Sequence, residues 1–210
     1  MSDLHFWGVS TSRTLRPIWT AEELGLTYGL TPIGPRTGAT QERDYLSRNP
    51  KGKIPYMVDR DVALSESVAI CRYLVQRYSN DDAIANPQSI VGRAKCDEWC
   101  FFILGELDET SLYIIRRHEV LKHIYGEAPE AVAVAREYCA RQFRAATDLM
   151  IGPYVMGEAF GLPDILMMSC ITWAERVGVD LPDSMGALRD RIAERPACQR
   201  AVKINQQAAR

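Results

Sequence analysis

The sequence predicts an α/β domain followed by an all-helical domain. Short apolar runs with the length of strands occur only in the first 78 residues, where they alternate with helical patterns. After residue 87 the apolar residues recur at helical spacing and the strand patterns cease. The segment between them, 79–87, is polar, has no periodicity and ends in proline, which indicates a linker. We therefore expect domains at 1–78 and 88–210.

The elements of the first domain follow the order βαβ and then ββα. Its first helix opens at the polar loop Ser10-Thr11-Ser12 and closes at Leu24-Gly25. A polar connection over 36–48 is expected to include a short helix, and the last helix begins at Ser65-Glu66-Ser67. The predicted strands are 4–7, 28–33, 54–58 and 62–64.

Four helices are expected in the second domain, beginning near Gln88, Pro129, Leu162 and Ser184. The third has Gly161 at its N-cap, Pro163 in its first turn and Asp164 three residues after the cap. Glycine at an N-cap costs only a few tenths of a kcal/mol relative to serine, and proline is tolerated in a first turn. Asp164 can bond back to the Gly161 N–H, so this helix is expected to form. Pro196 interrupts the fourth helix.

Composition excludes several kinds of partner. The 25 Lys and Arg against 27 Asp and Glu give a net charge of -2, without the basic block that nucleic acid requires. No apolar run is long enough to span a bilayer and the N-terminus does not resemble a signal peptide, so we expect a cytoplasmic protein with no membrane partner. The six cysteines show no metal-ligand pairing, which favours free thiols and no metal.

The segment most informative about function is Asn49-Pro50-Lys51-Gly52-Lys53-Ile54-Pro55. A proline at the start of a strand donates no hydrogen bond to the ladder. Held cis, Pro55 would turn the backbone N–H and C=O of Ile54 outward, where an extended peptide can pair with them. Taken alone, the segment is better explained by an ordinary edge-strand proline.

A second motif, Leu64-Ser65-Glu66-Ser67-Val68-Ala69-Ile70, opens a helix. The unpaired N–H groups of a helix N-terminus suit a carboxylate. The Ser67 hydroxyl adds a donor, and Glu66 supplies a negative charge for an ammonium. Lys53, at the other end of the two strands, suits a second carboxylate. Together the two motifs describe a site for an anionic peptide with an amino-acid head, an extended middle and a carboxylate tail.

The two motifs resemble the glutathione-binding half of the cytosolic glutathione S-transferases. The segment from Ser12 to Leu26 is similar to the first helix of bacterial and fungal members, and 160–166 to the start of a later family helix. The resemblance covers essentially the whole chain. It implies a thioredoxin-like first domain, a helical second domain, a homodimer, and glutathione as the co-substrate of a detoxification reaction.

By position, the resemblance also implies roles for single residues. Ile54 would pair its backbone with the cysteinyl unit of glutathione, beside Pro55 as the cis-proline. Glu66 and Ser67 would hold the γ-glutamyl end, and Lys53 the glycyl carboxylate. A residue of the 36–43 loop assists at that carboxylate in many members. The candidates there are Arg36, Gln41 and Arg43.

Members that use serine or threonine place the hydroxyl between the first strand and the first helix, where it donates to the glutathione sulfur. Counting back from Leu24-Gly25 places Thr11 there, whereas matching Ser12-Arg13 places Ser12, with Ser10 as a third candidate. Helix capping alone explains the three hydroxyls equally well. The loop has neither cysteine nor tyrosine, which favours conjugation over disulfide reduction.

We therefore expect a glutathione transferase whose thiolate attacks a small, fairly apolar electrophile. Helical spacing suggests an electrophile site on the first long helix of the second domain, although core packing or surface exposure also explains these residues. They are Phe102, Glu106, Tyr113 and Arg116. The alternatives are a glutathione-dependent isomerase or peroxidase on the same site, or a non-enzymatic binding or assembly protein. The intact glutathione motifs argue against the last.

Overall fold

A computed structural model describes residues 3–79 and 83–207. The chain divides into two compact units, one made of 1–86 with 193–210 and the other of 87–192. The C-terminal segment thus belongs to the first unit, whereas the sequence predicted it as part of the helical domain. The physical reason is its contact with the first unit: Ala197, Cys198 and Ala201 are buried, and ion pairs join Arg195 to Glu23 and Arg200 to Glu22 of the first helix, each at 2.7 Å. Residues 80–82 of the predicted linker lie outside the described residues.

A four-stranded mixed sheet lies at the centre of the first unit. Its strand order is β2-β1-β3-β4, with β1 parallel to β2 and antiparallel to β3, and β3 antiparallel to β4. The strands are β1 Leu4–Trp7, β2 Gly29–Thr31, β3 Tyr56–Asp59 and β4 Val62–Ser65. The predicted βαβ-ββα order, with its thioredoxin-like sheet, is confirmed.

Helices cover this sheet because its strands alternate apolar side chains between two faces. On one face, Leu4, Phe6 and Met57 pack with Ile70 and Leu74 of the helix after β4. On the other face a second cluster forms around Ile33, Tyr45 and Tyr56. The helices of this unit are α1 Ser12–Glu23, a 3-10 turn Ala39–Gln41, α2 Arg43–Arg48, α3 Ser67–Tyr78 and α10 Pro196–Asn205.

Two strands are shorter than the sequence predicted. β3 begins at Tyr56 rather than at residue 54, because Pro55 has no N–H to contribute to a ladder. β2 ends at Thr31, because the N–H of Ile33 turns back to the Thr31 carbonyl at 2.9 Å.

The second unit is helical throughout its regular elements. The long helix predicted near Gln88 begins at Ile90 and becomes π-helical from Ile103. There the Ser111 hydroxyl donates to the carbonyl of Glu106, five residues earlier, at 2.6 Å. The elements are α4 Ile90–Phe102, π-helical Ile103–Leu112, α5 Tyr113–Ile115, π-helical Arg116–Val120, α6 Lys122–Tyr125, α7 Pro129–Leu149, α8 Leu162–Arg176 and α9 Asp183–Ala193.

The unusual start of α8 is stabilised as the sequence predicted. The N–H of Gly161 donates to Asp164 Oδ2 at 2.8 Å, and the N–H of Val155 donates to Oδ1 at 2.8 Å. Asp164 is fully buried, so both oxygens are satisfied away from water. Within residues 3–79 and 83–207, no helix has the length and apolar character needed to cross a bilayer.

Candidate functional site

The loop between β1 and α1 runs against the Ile54 segment. Gly8 has φ +118°, and a Cβ added there would lie 2.6 Å from Ile54 Cβ and 2.9 Å from Thr14 Cγ2. Only glycine therefore allows the loop to pass this closely. The next residue, Val9, is buried and donates its N–H to the Ile33 carbonyl at 2.9 Å. The loop is thus fixed beside Ile54.

Thr11 is the N-cap of α1. Its Oγ1 accepts from the N–H of Thr14 at 2.9 Å, and Thr14 Oγ1 accepts from the N–H of Thr11 at 3.0 Å. The two hydroxyl oxygens lie 2.9 Å apart. The capping role that explained the loop hydroxyls is therefore filled by Thr11. The cap uses a lone pair of Oγ1, so the Thr11 hydroxyl proton can be donated either to Thr14 Oγ1 or to a ligand.

Ser10 and Ser12 flank this cap in different ways. Ser10 is exposed, has φ +67°, and donates its N–H to the Asn205 carbonyl at 2.8 Å. Ser12 is the first residue of α1 and is half-buried. All three candidate hydroxyls lie on one short loop, but only Thr11 has its oxygen at the cap position.

The Lys53-Ile54-Pro55 segment is held from behind by two side chains. The Ile54–Pro55 peptide bond is cis. The Lys53 carbonyl accepts from the Tyr45 hydroxyl at 2.6 Å and from Asn49 Nδ2 at 2.8 Å. In the part of the chain that the structure describes, the N–H and C=O of Ile54 take no hydrogen bond. These groups are therefore open to an extended ligand, while the Lys53 side chain is exposed.

The N-terminus of α3 presents a second set of donors. Ser67 is 5% exposed and its Oγ accepts from Arg16 Nη1 at 3.3 Å. Arg16 is fully buried, so a positive charge from α1 lies directly behind this helix N-terminus. Among the described residues, the N–H groups of residues 67–69 have no partner, as is usual for a first helical turn without a side-chain cap.

Glu66 precedes this helix with φ +75°, which is unusual for a residue other than glycine. Its carboxylate is exposed and pairs with Lys51 Nζ at 2.6 Å. A carboxylate in an exposed ion pair of this kind can exchange partners at little cost. It is therefore accessible to a ligand ammonium.

Of the three loop candidates, Gln41 lies closest to the motif. Its Nε2 is 3.5 Å from the Gly52 carbonyl oxygen and 3.3 Å from Thr40 Oγ1. Arg36 and Arg43 are exposed, and within the described residues they make no hydrogen bond or ion pair to the 51–55 segment. The structure thus brings Gln41 to the motif.

The four suggested electrophile contacts lie along one helical stretch of the second unit. Each has a local partner: the rings of Phe102 and Trp99 are 5.8 Å apart, Glu106 accepts from the Tyr138 hydroxyl, and Arg116 stacks 5.7 Å over Tyr113. Packing within the unit accounts for these positions. Their role in binding an electrophile stays a prediction.

Four side chains of the site were not assigned a role from the sequence. Tyr45 and Asn49 support the Lys53 carbonyl, Arg16 supports Ser67, and Asn205 supports the loop. Asn49 and Arg16 belong to segments recognised as motifs in the sequence, and this was a usable indication for both residues. No local pattern marks Asn205, which lies 191 residues after its partner Thr14.

Comparison of the chain with known proteins identifies its family. Residues 2–76 match the model of the glutathione S-transferase N-terminal domain. Glutathione S-transferase 4 of Zea mays is 35% identical over 204 residues, which cover 94% of this chain and 90% of that protein. The chain belongs to the glutathione S-transferase family.

Two further similarities extend over the full length. Glutathione S-transferase 3 of Zea mays is 29% identical over 213 residues, covering 96% of this chain and 94% of that protein. The crystal structure of the theta class glutathione S-transferase from Xanthomonas axonopodis pv. citri, with glutathione bound, superposes with a TM-score of 0.81 at 26% identity over 100% of both chains. The similarity therefore includes both units of this family member.

The chain's own thiols are poorly suited to reaction. All six cysteines are free and buried. Burial raises the pKa of the Cys71 and Cys139 thiols to about 12 and that of Cys198 to about 11. Within residues 3–79 and 83–207, no three His, Cys, Asp or Glu side chains are grouped so as to hold a metal ion. These three thiols are therefore largely protonated at neutral pH.

Proposed function

We propose that this protein is a glutathione transferase that binds glutathione along residues 53–55 and 66–67 and activates its thiol with Thr11. The observation that carries the proposal is the pair of open backbone sites in one unit. These are the free N–H and C=O of Ile54 and the unpaired N–H groups that begin α3, in the described part of the chain. A tripeptide with an α-amino acid head satisfies both.

Charge complementarity supports this orientation of the ligand. The γ-glutamyl carboxylate suits the α3 N-terminus, where the Ser67 hydroxyl and the buried Arg16 add positive potential. Its ammonium suits Glu66, which would exchange Lys51 for the ligand. At the other end, the glycyl carboxylate suits Lys53, with Gln41 against the same segment.

Thr11 is proposed as the donor to sulfur because of its place at the N-cap of α1. Its oxygen accepts the Thr14 N–H at 2.9 Å, which polarises the hydroxyl and strengthens it as a donor. A free thiol has a pKa of about 8.5. A hydrogen bond to a charged group contributes about 1.5–3 kcal/mol, which would lower that pKa by about one to two units. The thiol proton leaves to solvent, and the thiolate attacks an electrophilic carbon of a small, fairly apolar molecule. The new C–S bond either displaces a leaving group, such as chloride, with its electron pair, or adds to an activated double bond whose other end then takes a proton from solvent.

The proposal includes a homodimer, supported by two large apolar side chains that are exposed on α4. Ile90 is 79% exposed and Phe101 is 69% exposed. Eleven residues make close to three helical turns, so these side chains lie on the same face of α4. Large exposed apolar side chains on one face are typical of protein interfaces.

The experiment is an activity panel with glutathione and either an activated aryl chloride, an α,β-unsaturated carbonyl, a double-bond isomerisation substrate or an organic hydroperoxide. We expect conjugation with a carbon electrophile. Thr11→Val should lower kcat/KM roughly 10- to 100-fold, the equivalent of one hydrogen bond to a charged group. Ser12→Ala, at the neighbouring hydroxyl, is the matched control, and its kcat/KM should stay within about threefold of the wild-type value.

The other outcomes assign other functions. Turnover of the hydroperoxide or the isomerisation substrate alone would make the protein a glutathione peroxidase or isomerase on the same site. Glutathione binding without turnover of any substrate would favour a non-enzymatic binding protein. Equal loss of activity in Thr11→Val and Ser12→Ala would contradict the assignment of Thr11.

A further inference from the structure

The last residue of α10 makes three hydrogen bonds to the loop that carries the candidate hydroxyls. The Asn205 carbonyl accepts from the Ser10 N–H at 2.8 Å. Its Nδ2 donates to the Thr11 carbonyl at 3.1 Å, and its Oδ1 accepts from the Thr14 hydroxyl at 2.7 Å. Asn205 is 8% exposed, so these bonds are shielded from water. Its amide therefore has defined partners on both its oxygen and its nitrogen.

The bond to Thr14 controls the hydrogen bonding of Thr11. A threonine hydroxyl has one proton. Asn205 Oδ1, at 2.7 Å, is a closer acceptor for the Thr14 proton than the Thr11 carbonyl at 3.0 Å. With that proton committed to Asn205, Thr14 Oγ1 faces Thr11 only as an acceptor. It receives the Thr11 N–H at 3.0 Å and, where no ligand takes it, the Thr11 hydroxyl proton at 2.9 Å. The Thr11 side chain is then held in one orientation by Thr14.

The bond to Ser10 stabilises a backbone conformation that serine does not favour. Ser10 has φ +67°, in the left-handed region where a Cβ is unfavourable. Such conformations persist where surrounding contacts fix them. Here the contacts on either side of Ser10 are the Val9 N–H bond to Ile33 and the Ser10 N–H bond to Asn205. The position of Thr11 therefore depends on Asn205.

We propose that Asn205 is a positioning residue for thiol activation, fixing the place of the Thr11 hydroxyl from the C-terminal helix. This inference rests on the proposed function, in which Thr11 donates to the glutathione sulfur. Asn205 acts through Thr11 and Thr14. Its effect is thus expected on the pKa of bound glutathione rather than on the affinity for it.

Separate contacts hold α10 on α1, which allows the role of Asn205 to be tested alone. Arg195 binds the Glu23 carboxylate with two nitrogens, at 2.8 and 2.7 Å, and Arg200 binds Glu22 at 2.7 Å. These ion pairs lie at the start and in the middle of the helix, so α10 should stay docked without the Asn205 amide. Arg200→Ala is the matched control, since it weakens docking of the same helix and leaves the loop untouched.

The test is a double-mutant cycle on the pKa of bound glutathione, followed by the ultraviolet absorbance of the thiolate against pH. Asn205→Ala should raise the midpoint by about half to one unit, which means roughly three- to tenfold less thiolate at a fixed lower pH. Thr11→Val should raise it by about one to two units, and the double variant should equal Thr11→Val. Arg200→Ala should leave it unchanged. Asn205→Leu, which fills the volume of the amide, should behave as Asn205→Ala if the latter does not fold.

Each other result is decisive. A midpoint that moves in Thr11→Val but in neither Asn205 variant overturns this inference and leaves the proposed function standing. Shifts that add in the double variant also overturn it, because Asn205 would then act independently of Thr11. A midpoint that Thr11→Val does not move overturns both the assignment of Thr11 and the inference that rests on it. A structural role alone would lower stability in Asn205→Ala without moving the midpoint.

Discussion

Ser67→Ala tests the binding of the γ-glutamyl head most sharply. Ser67 is almost fully buried and its oxygen accepts a hydrogen bond from the Arg16 guanidinium at 3.3 Å. Because that oxygen accepts a hydrogen bond from a cation, its own proton is the more strongly polarised and is a stronger donor to a ligand carboxylate. A hydrogen bond to a carboxylate contributes about 1.5–3 kcal/mol. We therefore expect the Kd for glutathione to rise roughly 10- to 150-fold.

The assay is calorimetric titration with glutathione at one pH, together with urea unfolding of each variant. Ser65→Ala is the matched control, because this serine belongs to the same motif, is half-buried, and ends β4 two residues earlier. Its Kd should stay within about twofold of the wild type. A folded Ser67→Ala protein with an unchanged Kd would refute the argument, and so would an equal loss in Ser65→Ala.

Three further results are expected. Asn49→Ala should lower the free energy of unfolding by about 2 kcal/mol, because the Asn49 amide makes two hydrogen bonds in the turn before Ile54. Tyr45→Phe should lower it by about 1 kcal/mol, because the Tyr45 hydroxyl makes one. Equal losses of stability for the two variants in urea unfolding would contradict this. A thiol reagent at pH 8 should react with almost none of the six buried cysteines in the native protein and with all six after denaturation. Fast reaction of the native protein would contradict the burial of these thiols. In sedimentation at micromolar concentration the wild type should have about twice the chain mass, and Phe101→Asp should have about one chain mass. Val134→Asp, which changes a comparably exposed apolar residue on α7, is the control and should keep the wild-type mass. A wild-type monomer that turns over substrate would argue against the dimer.

The sequence predicted the elements well where local rules decide them. The strands of the first unit, the caps of α1 and α8, and the cis-proline segment follow from short-range features such as turn residues, capping groups and proline. The bonds of Gly161 and Asp164 are an example, because both partners lie within one helical turn. The ends of these strands differ from the predicted ends by only a few residues. The start of β3 is an example, because Pro55 cannot donate a hydrogen bond to the ladder.

What the sequence did not predict depends on contacts between distant residues. The C-terminal helix was assigned to the helical domain, because nothing in its own pattern indicates that Arg195 and Arg200 pair with α1. The same limit applies to Asn205, whose amide is an ordinary polar residue until the fold brings it to Thr14. The choice among three neighbouring hydroxyls also needed geometry, since each of them suits a helix start equally in sequence.

The most direct measurement is the thiolate absorbance of glutathione bound to the wild-type protein as a function of pH. The account predicts a midpoint about one to two units below that of free glutathione, because the Thr11 hydroxyl and the N-terminus of α1 favour the negative sulfur. A bound thiol that titrates at the same pH as free glutathione would contradict it, because the protein would then bind the peptide without activating it.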